Sequence, residues 1–138
     1  MEITVEYLAA VQFEIRARQH TIISDQPESS GGFDERMTPP ELMLASLGSC
    51  VGYYAAEYLR KKGLAREGTR VRVTANKVPG PARLDNFKIE ASLPVLSGGE
   101  HRKGVEEAVH PCLIHNILLH PPAITIDIGD VLLAIQAA

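Results

Sequence analysis

The 138-residue chain has only two cysteines, no tryptophan, and no apolar stretch of the roughly 18 residues that a membrane-crossing helix needs. Two cysteines cannot form the dense disulfide framework of a small secreted domain. In a reducing compartment such residues are buried, catalytic or metal-binding. Basic charge is also scarce: 14 Lys and Arg stand against 17 Asp and Glu, for a net charge of −3. Only Arg60-Lys61-Lys62 cluster, so the sequence carries no basic footprint for nucleic acid. The N-terminal MEITVEYLAA places Glu2 where a secretory signal would be basic, and no long apolar run follows. Repeats and low-complexity segments are missing too. These absences lead us to expect one soluble, cytoplasmic domain over residues 1–138, with neither nucleic acid nor membrane as partner.

The pattern that is present is α+β. Ile3, Val5 and Tyr7 alternate with polar neighbours, and so do Val11, Phe13, Ile15 and Ala17. A period of two is that of half-buried strands. A short third strand is expected over 21–24. Residues 25–37, with Pro27, Ser29, Ser30, Gly31 and Gly32, read as a loop. "MTPPELMLASLGSCVGYYAAEYLRKKG" (37–63) then reads as one long helix. Thr38 and Glu41 have capping-box spacing, Pro39 suits the first helical position, and Gly63 follows a basic last turn. Apolar residues surround this helix axis, which predicts a central, buried helix. Ala45, Gly48, Ser49, Gly52 and Ala56 make a row of small residues that would let a sheet, or a second copy of the helix, approach closely. Alternation resumes over 70–77 and 84–93 around Pro79-Gly80-Pro81. After Ser97-Gly98-Gly99, a second helix is expected over 100–119, stopped by Pro121-Pro122. Ile124, Ile126 and Ile128 predict a last strand. The expected order is β-β-β-α-β-β-α-β, with antiparallel sheets packed on a long central helix.

Cys50, in the middle of the long helix, has two open readings. Free cysteine packs like a small hydrophobe, so it can simply fill the core. As a reactive thiol it needs help. It lies about three turns past the helix start, where the dipole no longer acts, and an unassisted thiol is only a few per cent thiolate at neutral pH. A tertiary cation is required, and Arg16 and Arg18 on the second strand are the candidates. Cys112 stands among His110, His115 and His120, and zinc takes Cys and His ligands. Within one helix, however, residues 110, 112 and 115 do not share a face, since two positions turn about 200°. A metal would need Cys112, His115 and Cys50 together. The histidines are read as polar-face residues, and neither a metal nor a cofactor is expected.

"TPPELMLASLGSC" together with "CLIHN" resembles the OsmC/Ohr family of osmotically inducible and organic hydroperoxide resistance proteins. The resemblance covers essentially the whole chain. Pro39, Glu41, Leu42, Ala45, Gly48 and Cys50 match its helix motif, and "SSGGFDERMTPPEL" is similar to the loop before it. The resemblance implies an intertwined homodimer with thiol-dependent peroxidase activity on organic hydroperoxides. Cys50 would attack, Cys112 would resolve, and an external dithiol would reduce the resulting disulfide. It further implies that Arg18, near the end of an early strand, holds the Cys50 thiolate, with a glutamate orienting the arginine. This chain has Pro40 where that glutamate stands in the organic-hydroperoxide branch, and Glu41 comes one position, or about 100° of helix, later. Glu41 is therefore both a candidate partner of Arg18 and a capping-box acid. Cys112 is followed by Leu113, Ile114 and His115 instead of the branch's proline and small polar residue. Both departures place the chain in an OsmC-like subgroup. The alternative function is a redox-sensing or ligand-binding protein on the same fold with little turnover.

Overall fold

The computed structural model describes residues 1–93 and 99–129. Strands β1 (Thr4–Ala9), β2 (Gln12–Ala17) and β3 (His20–Ser24) form an antiparallel three-stranded sheet in sequence order. Val5 pairs with Ile15 and Ile15 with Ile22, while Tyr7 pairs with Phe13. The alternation seen in the sequence thus becomes one continuous apolar face. Within the chain that face stays largely open: Val5, Tyr7 and Ile22 are each at least half exposed (56%, 64% and 50%). The chain is α+β with antiparallel sheets, as the sequence predicts; among the described residues, no helix packs extensively on this first sheet.

Residues 25–37 form the expected loop, with a single 3-10 turn at Glu28–Ser30. Helix α1 (Pro39–Lys61) follows, and both halves of its capping box are made. Thr38 Oγ1 accepts from the Glu41 backbone N–H, and the Glu41 carboxylate accepts from the Thr38 N–H. Gly63 has a left-handed φ of 68° just past the end, where a side chain would be strained. Only one stripe of α1 is buried: Leu47, Val51, Ala55 and Leu59, at four-residue spacing. Met43 and Tyr53 are exposed on other faces, so within one chain the helix is not enclosed all round as its composition predicts.

Strands β4 (Arg70–Val78) and β5 (Arg83–Ser92) form an antiparallel hairpin across the turn at Pro79-Gly80-Pro81, with a register shift between Thr74 and Asn76. Helix α1 lies on this hairpin. A Cβ on Gly48 would meet Val73 Cγ2 at 3.2 Å, and one on Gly52 would meet Val71 Cγ2 at 3.5 Å. The small-residue row therefore serves the approach of α1 to β4.

The expected second helix over 100–119 is corrected to two: α2 (Arg102–Val109) and α3 (Leu113–Leu119). Pro111 lies between them. Proline has no N–H to donate and its ring crowds the carbonyl four residues back, so a helix cannot run through it unbroken. The expected strand at Ile124, Ile126 and Ile128 is also corrected. No strand forms among residues 121–129, and the three isoleucines are 80% exposed or more. An alternating segment becomes a strand only against an edge to pair with, and none meets it inside the described chain. Ser97 and Gly98 of the expected turn, and residues 130–138, lie outside the described residues. Among the described residues, no helix is long and apolar enough to cross a membrane.

Candidate functional site

The core centres on Leu47, Val51 and Cys112, with Cys50, Val73 and Ile89 packed against it. The two cysteines, 62 positions apart in sequence, are thus brought together by α1 and the α2–α3 break. Both are free thiols. Cys112 is fully buried and Cys50 is half-buried. Cys112 is the N-cap of α3, and not the mid-helix residue that the apolar spacing predicts. Its sulfur accepts the His115 backbone N–H at 3.5 Å. Pro111 could have revealed this from sequence alone, because a break there puts Cys112 in the position that precedes a new helix.

The electrostatics of the pair are asymmetric. Burial pushes the Cys112 thiol above its ordinary value. Its hydrogen bond to Cys50 and charge on that neighbour push it further, while the N–H groups of His115 and Ile114 act the other way. Two adjacent sulfurs cannot both ionise cheaply. Cys112 therefore keeps its proton more tightly than an ordinary thiol, and Cys50 is the one of the pair that solvent reaches.

The other sequence candidates lie elsewhere. Arg16 is a surface group that pairs with Glu6 and Glu14 on the N-terminal sheet. Arg18 is exposed in the β2–β3 turn with a left-handed φ of 57°, and it forms no salt bridge among the described residues. The Glu41 carboxylate is held at the start of α1: Oε2 accepts from Thr38 N at 2.7 Å and from Thr38 Oγ1 at 2.8 Å. These bonds, the backbone one foremost, hold the Glu41 carboxyl below its ordinary range. Within the chain, Glu41 and Arg18 do not meet as an ion pair. His115 contributes its backbone to Cys112, and no group of three or more His, Cys, Asp or Glu among the described residues is arranged to hold a metal ion.

A cavity of about 520 Å³ opens beside the pair, lined by Val51, Ile89, Ala91, Val105, Val109 and His115, with Arg102 and Glu106 also on its wall. Val51 and Val109 also belong to the packing around Cys112. Val51 and Val109 are thus common to the cavity lining and to the packing around the dithiol. No local pattern encodes this feature, because its lining comes from α1, β5 and α2, which are far apart in sequence. Sequence reasoning also missed Asp25, a fully buried carboxylate at the end of β3.

The model of the OsmC-like protein family matches residues 32–127, a span that holds both cysteines, Glu41 and the cavity. No curated protein matches the chain. Among solved structures, the chain is similar to an osmotic stress induced and detoxification response protein from Psychrobacter arcticus. The TM-score is 0.76 and the identity 22%, over 86% of this chain and 88% of that one. It is similar to an OsmC-like protein from Mycoplasma pneumoniae, with a TM-score of 0.73 and 18% identity over 93% of each chain. It is also similar to an organic hydroperoxide resistance protein OsmC from Legionella pneumophila, with a TM-score of 0.62 and 16% identity over 85% of this chain and 87% of that one. At these identities the likeness carries the fold.

Proposed function

The chain belongs to the OsmC-like protein family, and on that premise we propose that it is a thiol-dependent peroxidase that reduces organic hydroperoxides. The observation that carries this reading is the contact between half-exposed Cys50 and buried, proton-retaining Cys112. The Cys50 thiolate attacks the outer oxygen of the peroxide. The O–O bond breaks, the alcohol leaves with a proton, and Cys50 becomes a sulfenic acid. The Cys112 sulfur then displaces hydroxide from the Cys50 sulfur. Water is released, with the proton that Cys112 gives up, and a Cys50–Cys112 disulfide forms. An external dithiol restores both thiols and is itself oxidised. The apolar wall shared with the cavity favours an organic peroxide over hydrogen peroxide.

The working unit in this proposal is a homodimer. The open apolar face of the N-terminal sheet and the exposed Ile124, Ile126 and Ile128 support it, since apolar surfaces of this extent mark interaction sites. Arg18 would approach the Cys50 thiolate from a second copy. Its exposure at the tip of the β2–β3 turn is compatible with that reach. Glu41 serves in this reading by fixing the start of α1.

The test is a count of free thiols before and after one equivalent of an organic hydroperoxide, beside a hydrogen peroxide control. Loss of both thiols within seconds, faster with the organic peroxide, and their recovery with added dithiol are expected. Cys50→Ser should abolish consumption, and Cys112→Ser should stop after one oxidation per chain. Retention of both thiols would overturn the proposal. A single oxidation that dithiol does not turn over would assign the chain to redox sensing instead.

A further inference from the structure

Among the described residues, the buried polar side chains are Ser24, Asp25 and Thr38, all at the junction between β3 and α1. The Asp25 N–H donates to the Met37 carbonyl at 3.2 Å, which stitches together the two ends of the loop. The Asp25 carboxylate organises what lies between. Oδ1 accepts the Gln26 N–H at 2.8 Å. Oδ2 accepts the Gln12 side-chain amide at 3.1 Å and the backbone N–H groups of Phe33 and Glu35, each at 3.2 Å. Gly32 has no room for a side chain, because a Cβ there would collide with the Gln26 carbonyl. The N-terminal sheet has no extensive packing on the rest of the chain. This junction is therefore what aims it.

We propose that the Asp25 carboxylate is a charge-dependent lock, closing the loop and fixing the direction of the N-terminal sheet when ionised and releasing both when protonated. A neutral carboxyl turns one acceptor oxygen into a donor, which then faces N–H groups that donate already. Burial alone would raise this carboxyl. The hydrogen bonds from Gln26, Gln12, Glu35 and Phe33 outweigh burial and hold it below the ordinary range. The groups that face it are neutral: Gln12 from β2, and backbone amides from the loop. The charged side chains of Asp34, Glu35 and Arg36 lie on the exposed surface of the loop. Among the described residues no charged side chain acts on Asp25, so its own protonation is the event that opens the lock.

The first arm of the test is the wild-type chain, followed by amide proton shifts through an acid titration. Gln26, Phe33 and Glu35 should move together, with one midpoint below the ordinary aspartate value. The second arm is hydrogen exchange of Asp25→Asn at neutral pH. Those same amides should exchange about 10-fold faster or more, while the Val51 and Ala55 amides of α1 keep wild-type protection. Wild-type amides that do not titrate together would overturn the lock. Equal loss of protection throughout a folded Asp25→Asn variant would overturn it too. Should that variant not fold, the wild-type titration decides alone. A consequence for assembly rests on the homodimer reading: Asp25→Asn should dissociate the dimer at least about 10-fold more readily, and Cys50→Ser should not. A wild-type monomer in sedimentation would sink the homodimer reading and leave the lock to be judged on the amides.

Discussion

Cys112 is sealed from solvent and half-buried Cys50 packs against the cluster that holds it, so of the two neighbouring thiols only Cys50 is open to solvent. This division fixes the direction in which the pair responds to pH. Burial and Cys50 raise the Cys112 thiol above its unfolded value. The native chain therefore holds its proton more tightly than the unfolded chain does. The associated stability is fully present below the ordinary thiol range and is lost as pH rises through it and on through the raised native value. Urea midpoints measured from neutral to alkaline pH should fall more steeply for the wild type than for Cys112→Ala. Equal slopes would mean that Cys112 titrates as it does in the unfolded chain.

The start of α1 allows stability to be separated from chemistry. Thr38→Ala removes the side-chain cap and should cost about 1 kcal/mol in urea unfolding. Glu41→Gln keeps an acceptor for the Thr38 N–H and should cost less, with peroxide consumption within about threefold of wild type. A loss of consumption at unchanged stability would instead assign Glu41 to Arg18.

The two glycines facing β4 should answer differently to a methyl group. Alanine gains about 0.8–1 kcal/mol over glycine in a helix interior. At Gly52 the new Cβ meets Val71 at an ordinary 3.5 Å, so Gly52→Ala should stabilise by much of that amount. At Gly48 the contact with Val73 is 3.2 Å, and the strain should consume the gain. Paired urea curves decide. A Gly48→Ala chain as stable as Gly52→Ala would show that β4 yields easily.

Pro111→Ala should let α2 and α3 run together and carry Cys112 out of its capping position. The first oxidation, at Cys50, should keep its rate. The second, closure of the disulfide, should slow about 10- to 100-fold, since misplacement by an ångström has costs of that order. Two-phase thiol loss in rapid mixing separates the steps. An unchanged second phase would show that the break is not needed for resolution.

Much of this was legible in the sequence, and particular residues show where legibility ended. Thr38, Pro39, Glu41 and Gly63 mark α1 nearly to the residue, because caps are local chemistry. Pro111 was equally legible, but the apolar spacing from Val105 to Ile117 runs through it and masks the break. Alternation marked Val5, Tyr7 and Phe13 as one face of a sheet and Ile124, Ile126 and Ile128 as a strand. It says which side chains will leave water, not which chain will cover them. The cavity and the Asp25 junction arise from contacts between distant segments, and no local pattern encodes those.

The uncovered face of the N-terminal sheet and the three isoleucines near the C-terminus have one more consequence. In the proposed homodimer a second copy covers them, and the chain completes its burial by encounter rather than by folding alone. Its melting temperature then rises with protein concentration, and dilution becomes a form of denaturation. Refolding acquires a bimolecular phase that slows as the sample is thinned. The Cys50–Cys112 contact, made from α1 and the start of α3 of one chain, can form ahead of that encounter.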